Sequence, residues 1–429
     1  MRIERKKYLN RLISRMDNGM IKVITGVRRS GKSFLLFHLF YQYLIANGVP
    51  EDHIIALSLD DFANREYRKP ENLYAFLKER IRSSSEHYFV FLDEIQLAIS
   101  REELKQKDTD VALYGIMNGL LRKDNVDVYV TGSNSKLLAT DVLTEFRGRG
   151  DEIHILPLAF SEYFPAVSIS KEDAWRDYLL YGGMPHILSL NNEEQKTQYL
   201  NALNREIYMR DIQERYGVKN LTGMETLMKV IASSVGSLTN PKKISDTFSS
   251  SGTKGISAPT VAEYLTYLQD AGLISRAEQY DVKGRKYIST PMKYYYADTG
   301  LRNALLGFRQ FEETHLMENV IYNELRYRGY SVDVGVVPIR VMENDSKVRK
   351  RLEVDFVANQ GSKRYYLQSA FAVSDQEKLD QEQESLVHIP DSFKKIIITG
   401  TNSPLWRNEQ GITIMSVFDF LLNENSLEM

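Results

Sequence analysis

Short apolar runs that end in polar or glycine residues alternate with helical periods over the first part of the chain. Ile21–Thr25 stops at Gly26, Ile54–Leu59 at Asp60-Asp61, Tyr88–Leu92 at Asp93-Glu94, and Val126–Val130 at Thr131-Gly132, while Ile153–Leu156 is closed by Pro157. Such runs predict strands buried on both faces, as in a parallel sheet. Between the first two, Phe34–Ala46 has a helical period and ends at Asn47-Gly48, a fitting C-terminal cap. Tyr8, Leu9, Leu12, Ile13 and Met16 are spaced for a helix over residues 1–20 that packs beside the first strand. Strands alternating with helices predict an α/β fold with a parallel sheet.

Beyond residue 160 the pattern changes. Residues 161–222 read as helices, a lid, with helical periods over Ala174–Leu180 and Glu194–Ile212. Residues 223–305 follow a winged-helix pattern: helices over Met224–Ser233, Lys242–Ser249 and Ala258–Ala271, the last with Ser257 as N-cap, then two strands joined through Lys283-Gly284-Arg285. Residues 306–429 read as a further α/β domain, with Leu316, Val320, Ile321 and Leu325 on a helix before strands at Ser331–Val336, Arg351–Val357 and Arg364–Ala370. Four domains are expected: 1–160, 161–222, 223–305 and 306–429.

The turn after the first strand carries the clearest chemistry. Gly26-Val27-Arg28-Arg29-Ser30-Gly31-Lys32-Ser33 has the spacing of a phosphate-binding loop between a strand and the helix that starts at Phe34. Gly26 and Gly31 let the loop bend until backbone N–H groups and the helix N-terminus point at phosphate oxygens. Lys32 would reach the β- and γ-phosphates of ATP, and Ser33 would offer its hydroxyl to Mg²⁺. Asp93 then reads as the second Mg²⁺ residue and Glu94 as the base that orients the attacking water. Ser133 and Asn134, after the Val126 strand, are candidates for sensing the γ-phosphate, with plain turn chemistry as the alternative. Arg147 and Arg149 could act on a neighbouring subunit's nucleotide, which would make the chain a homo-oligomer, or could be loop charges; Arg149 is preferred.

Charge and cysteine content narrow the classes. Net charge is −2 over 429 residues, so nucleic acid is not recruited by a global field and would need a local basic patch. The candidates are Lys283, Arg285 and Lys286 in the wing, because the third helix offers Tyr264, Thr266, Tyr267 and Gln269 but no cation. Protein contact is the other reading of the winged-helix segment. Absence of cysteine excludes disulfides, thiolate metal sites and a thiol nucleophile. The charged start, Met1–Lys7, is unlike a signal peptide, and no apolar run is long enough to span a membrane, so a cytoplasmic protein is expected.

GVRRSGKS, FVFLDEIQ, VTGSNSKLL, the RGR element and LPLAFSEYF, in this order, resemble the AAA-type P-loop ATPase domain of a prokaryotic family in which a DUF4143-type domain follows. The resemblance implies ATP and Mg²⁺ as cofactors and continues through Tyr181-Gly182-Gly183-Met184-Pro185. Gly183-Met184-Pro185 is similar to the Gly-x-Pro element by which signalling NTPases let a lid touch the nucleotide, with a structural turn as the rival reading. The last domain is similar to the PD-(D/E)xK nuclease fold. Glu318 and Asp355 fit its first two positions, and Glu353 could share the strand face of Asp355. Gln368 and Ala370 stand where an acid and a lysine would be, and Lys363 lies in the preceding turn, so no nearby ammonium and no cleavage are expected. Two functions stay open: an ATP-hydrolysing switch acting with DNA, and a nucleotide-gated scaffold for a protein partner with little turnover.

Overall fold

Five strands, all parallel to their neighbours, form the first sheet: β1 (Ile21–Thr25), β2 (Ile54–Ser58), β3 (Tyr88–Asp93), β4 (Val126–Thr131) and β5 (Gly150–His154). Their order is β2-β3-β4-β1-β5, so β4 lies between the strand of the glycine loop and the strand of Asp93. The computed structural model describes residues 3–100, 103, 111–132, 149–250, 256–343, 346–373, 376–400 and 403–429. Every residue of β1, β3 and β4 is buried, as expected where both faces of a sheet are covered. One face packs Val23, Leu57, Val90 and Val128 against Leu73 and Leu77 of helix Pro70–Arg80 and Leu113 and Met117 of helix Ala112–Leu121. Opposite, Phe40 meets Phe91 and Tyr129 at ring separations of 5.6 and 4.8 Å.

The polar residues inside these strands pair across the sheet. Lys22 on β1 and Asp127 on β4 form a buried ion pair, and the Tyr129 hydroxyl donates to the same carboxylate at 2.8 Å. Helix Lys6–Ile13 is shorter than the expected 1–20 element, because Arg5 and Asp17 take left-handed backbone conformations beyond its ends. The glycine loop leads into helical segments Lys32–Phe34, Leu35–Phe40 and Tyr41–Ala46, the middle one π-helical.

Contacts divide the chain into two compact units, Met1–Pro157 with Asp270–Gly272, and Leu158–Gln269 with Leu273–Met429. The second unit begins with helices that include Lys171–Tyr181, Glu193–Ala202 and Arg210–Tyr216. Leu221–Ser233, Pro241–Ser250 and Ala258–Asp270 follow, then strands β6 (Ile274–Asp281) and β7 (Lys286–Tyr296). A single bridge, Thr239 with Met292, ties the link between the first two of these three helices to β7.

The β6–β7 hairpin is the edge of an eight-stranded sheet with β8 (Ser331–Glu343), β9 (Ser346–Gln360), β10 (Lys363–Ala370), β11 (Lys394–Thr399), β12 (Trp406–Arg407) and β13 (Thr413–Ser416), in the order β12-β13-β11-β10-β9-β8-β6-β7. The lid, winged-helix and C-terminal segments expected as separate domains therefore share one unit. Parallel pairing of β6 with β8 through Gln279–Val334, Tyr280–Gly335 and Asp281–Val336 joins the winged-helix segment to the C-terminal sheet, and helix Thr299–Leu305 packs on lid helices Lys171–Tyr181 and Glu193–Ala202. One face of this sheet carries an apolar core that includes Val337, Leu352, Val354, Tyr366, Ile397 and Leu379 of helix Gln376–Val387, and helix Glu313–Arg328 packs on β7, β8, β9 and β10. Among the described residues no helix is long and apolar enough to cross a membrane.

Candidate functional site

Gly26 leaves β1 at φ 136°, and a Cβ there would sit 2.1 Å from the carbonyl oxygen of Ile155. No side chain fits so close to another strand's backbone, which is why this turn demands glycine. Arg29 and Gly31 also take positive φ, and the Ser30 N–H closes a turn on the carbonyl of Val27 at 3.2 Å. Arg28 and Arg29 are exposed and Val27 is buried. Lys32 is only 4% exposed, and its ammonium donates to the carbonyls of Gly26 and Val27 at 2.9 and 3.2 Å. Phe34, 39% exposed, lies 5.1 Å from the His38 ring one helical turn on.

At the carboxyl ends of β3 and β4 the polar groups converge. The Thr131 hydroxyl hydrogen-bonds to the Asp93 carboxylate, and the Ser33 hydroxyl lies close enough to favour its charged form. Burial pushes the Asp93 carboxyl above its usual range; those two hydroxyls pull it back, while Glu94 and Asp60 raise it further. Ser58, beside Asp93 on β2, donates to Asp60 at 2.6 Å and sits 3.4 Å from Asp93. Asp61 has a local task, accepting the Ala63 N–H at 3.0 Å as the cap of a short helix. Glu94 takes a left-handed conformation, φ 52° and ψ 48°, uncommon for a non-glycine residue and characteristic of functional sites. Its N–H donates to the Thr131 hydroxyl at 3.3 Å and its carboxylate accepts from the Gln96 amide.

Thr131 therefore ties together both acids, a role not assigned to it from sequence. It is the last residue of β4, and only the order of the strands puts it beside Asp93. Arg5 is a second such residue: its guanidinium, on a side chain almost fully buried, donates to the carbonyls of Ser30 at 3.1 Å and Leu156 at 2.7 Å, pinning the loop. No local motif marks it. Ser133, Asn134 and Arg147 lie outside the described residues. Arg149 has an exposed side chain, and its carbonyl accepts the N–H of Ile21 at 2.9 Å where β5 starts.

Gly183 is a packed turn within the second unit. Its N–H donates to Asp298 and its carbonyl accepts from the N–H of Leu158, both at 2.7 Å; a Cβ would lie 2.2 Å from the Leu158 oxygen. Pro185 opens the short helical turn Pro185–Ser189 that follows. These contacts account for the shape of the turn at Gly183. Burial pushes the Asp298 carboxyl up to about 6 even though the N–H groups of Leu301, Gly183, Gly300 and Met184 oppose it.

Lys283, Arg285 and Lys286 are exposed at the β6–β7 turn, and the Lys283 ammonium donates to the carbonyl of Pro338 at 3.0 Å. That contact brings them to the base of a second basic element missed in the sequence. β8 and β9 pair on through Arg340–Arg349 and Met342–Lys347. The last pairs with their outer neighbours are Asp281–Val336 and Leu367–Phe356, which leaves a two-stranded ribbon. Arg340, Lys347, Arg349 and Arg351 share one face by register and are all exposed; among the described residues none has a carboxylate partner. Like charges directly opposite, as at Arg340 and Arg349, cost stability unless an anion screens them. The run Lys347-Val348-Arg349-Lys350-Arg351 was the available signal.

Glu318 and Asp355 do come together, with Glu353 beside them, but around a lysine. Lys293 of β7 places its ammonium 2.8 Å from Glu318, 2.7 Å from Glu353 and 3.1 Å from Asp355. The expectation that no ammonium remains nearby is thus wrong: the lysine comes from a strand distant in sequence. Gln368 reaches back to the Asp355 N–H at 3.4 Å, whereas Ala370 lies in the apolar core with Val354 and Tyr366. Ser369, between them, gives its N–H to the Asp355 carboxylate at 2.9 Å.

The parallel sheet, the glycine loop and the paired acids define an AAA-type P-loop ATPase, and residues 18–164 match the family described as AAA domain. Residues 172–312 match a domain of unknown function, DUF8612. This overturns the expected DUF4143-type domain, an expectation that rests on the ATPase motifs upstream of it. The chain belongs to one family with an uncharacterized protein of Haemophilus influenzae, 35% identical over 425 residues and 98% of either chain. An uncharacterized protein of Methanocaldococcus jannaschii is 27% identical over 371 residues, 82% of this chain and 76% of its own. A solved Walker-type ATPase of Pyrococcus abyssi shares the fold at a TM-score of 0.50 and 17% identity, over 71% of this chain and 96% of that one.

Proposed function

We propose that the chain is an ATP-hydrolysing switch that acts with nucleic acid. The observation that carries the reading is the Asp93–Thr131–Glu94 hydrogen-bonded group at the strand ends, with the Ser33 hydroxyl of the glycine loop close enough to act on the Asp93 carboxylate. The donor set suits Mg²⁺, a hard cation that takes hydroxyl and carboxylate oxygens, and Ser33 and Asp93 would hold it. When bound, the ion supplies neutralising charge to the phosphates. Gly26 to Phe34 would cradle the triphosphate with backbone N–H groups, Lys32 would exchange its carbonyl partners for phosphate oxygens, and Glu94 would orient water and accept its proton. Ser133, Asn134 and an Arg149 finger acting between copies of the chain belong to the same reading.

Nucleic acid as the partner is supported by the β8–β9 ribbon and the adjoining Lys283, Arg285 and Lys286. A two-stranded ribbon fits the DNA major groove, and unpaired cations on one face suit phosphates. The three helices and hairpin at residues 221–296 support a winged-helix reading, and the Glu318, Asp355 arrangement supports a nuclease-like sheet without cleavage.

The test is steady-state phosphate release with and without duplex DNA, at several protein concentrations. Stimulation by DNA, lost on reversing Arg340 and Arg349 to glutamate, is the expected result. The same reversal should flatten the logarithmic salt dependence of DNA binding by about 0.9 for each phosphate contact removed. ATP turnover indifferent to DNA, with binding unchanged by the reversal, removes nucleic acid from the account and leaves the protein-binding scaffold.

A further inference from the structure

The cluster around Lys293 has the composition of a cation site. Glu318 comes from helix Glu313–Arg328, and Glu353 and Asp355 come from one face of β9, where alternate residues point the same way. All three reach a common centre, and that centre is an ammonium with three N–H groups for three carboxylates. Lys293 is 2% exposed, Glu318 and Asp355 7% each. Burial opposes the lysine's charge, but Asp355, Glu318 and Glu353 together hold its affinity for the proton well above the ordinary value.

Other donors of the chain also engage these carboxylates. The Glu318 oxygen that accepts from Lys293 also accepts the Tyr295 hydroxyl at 2.7 Å. Its other oxygen lies against Gly236, where even a Cβ would come within 2.8 Å. Asp355 gives one oxygen to Lys293 and the other to the N–H of Ser369. A nuclease-like arrangement implies a divalent metal on Glu318 and Asp355, and the residues present do not fit one: an internal cation already stands between the acids. Two buried acids with a third, half-exposed one beside them would repel one another without a cation, at a cost that low-polarity surroundings magnify.

We propose that Lys293 is the resident cation of this carboxylate cluster, standing in for a metal, so that the native site binds no divalent ion and acquires one when the ammonium is removed. The proposal rests on the cluster and on the nuclease-like reading of its sheet. It does not depend on the ATP-switch reading, whose failure would leave the metal titration below unchanged.

Mn²⁺ binding to the full-length, nucleotide-free chain is the test, read by the paramagnetic resonance of the free ion. Lys293→Met should take up one more Mn²⁺ per chain than the native protein, at least about tenfold tighter than any site of the native chain, because ligand charge sets affinity at oxygen sites. The gain should vanish in Lys293→Met/Glu318→Gln/Asp355→Asn. A native chain with a Mn²⁺ site that Asp355→Asn abolishes overturns the proposal, as does a folded Lys293→Met protein with no added site. Where Lys293→Met fails to fold alone, recovery of its near-ultraviolet circular dichroism on refolding with Mn²⁺ supports the proposal. Failure to recover with Mn²⁺, while the triple variant folds, overturns it.

Discussion

Two buried aspartates on sheet strands are held in opposite ways. Asp93, at the end of β3, is surrounded by hydroxyls, those of Thr131 and Ser33, and the lysine of its neighbourhood binds the loop carbonyls of Gly26 and Val27 instead. Asp355, on β9, binds a lysine directly and shares it with two more acids. Neutral donors orient a carboxylate without cancelling its charge, so no internal cation competes with a ligand at Asp93 among the described residues. An ammonium at contact distance cancels that charge internally. What separates a binding carboxylate from a structural one is the charge of its first partner, and the residue type alone does not reveal it.

The comparison breaks most visibly at Glu94, which shares the open site. Glu94→Gln should lower ATP turnover by about 10²- to 10⁴-fold, the range for loss of a general base, with nucleotide binding retained in a fluorescence titration; normal turnover sinks the assignment. At the closed site the effect falls on stability. Lys293→Met without added metal should lose about 3–5 kcal/mol in urea denaturation, because breaking a buried pair strands its partners; a loss under 1 kcal/mol would show the ammonium to be dispensable.

Asp298, held by backbone N–H groups and by no cation, tests a third way of burying an acid. Asp298→Asn replaces an acceptor with an N–H group facing the N–H of Gly183 or Leu301, at a cost of about 1–3 kcal/mol. Because its folded pKa, about 6, lies above the ordinary carboxylate value, the folded state retains a proton that the unfolded chain has released. That contribution is complete below the ordinary range and is lost as pH rises to about 6. Thermal melts of the native chain should show this slope and those of Asp298→Asn should lack it. The smallest change belongs to Asp93→Asn. Burial already disfavours its charge, so neutralising it should leave stability unchanged or raise it by up to about 1 kcal/mol, while hydrolysis is lost; a clear fall in melting temperature would contradict the open-site account.

Much of the first unit was legible because its signals are local. β1, β3 and β4 are short, mostly apolar runs, and the loop from Gly26 to Ser33 has its chemistry in eight consecutive positions. Thr131 was passed over for Ser133 and Asn134 because strand order, which sequence does not spell out, decides what stands beside Asp93. Lys293 was invisible for a stronger reason: it sits in the strand run Pro291-Met292-Lys293-Tyr294-Tyr295, 25 and 62 positions from Glu318 and Asp355. Helix Gln376–Val387 was missed because its polar composition hides the narrow apolar stripe of Leu379 and Leu386. In the second unit the expected helices and strands form, but β6 pairs with β8, and pairing partners are tertiary information.

The β6–β7 hairpin has a consequence for how this chain can be inherited. Its lysine neutralises acids encoded far downstream, and its first strand covers the edge of β8. A recombination break between residues 296 and 313 would separate a charge from its counter-charges and bare a sheet edge in one stroke. Gene rearrangement can therefore pass on the three helices, the hairpin and the C-terminal sheet together, as a single heritable cassette, and would not succeed in shuffling them apart.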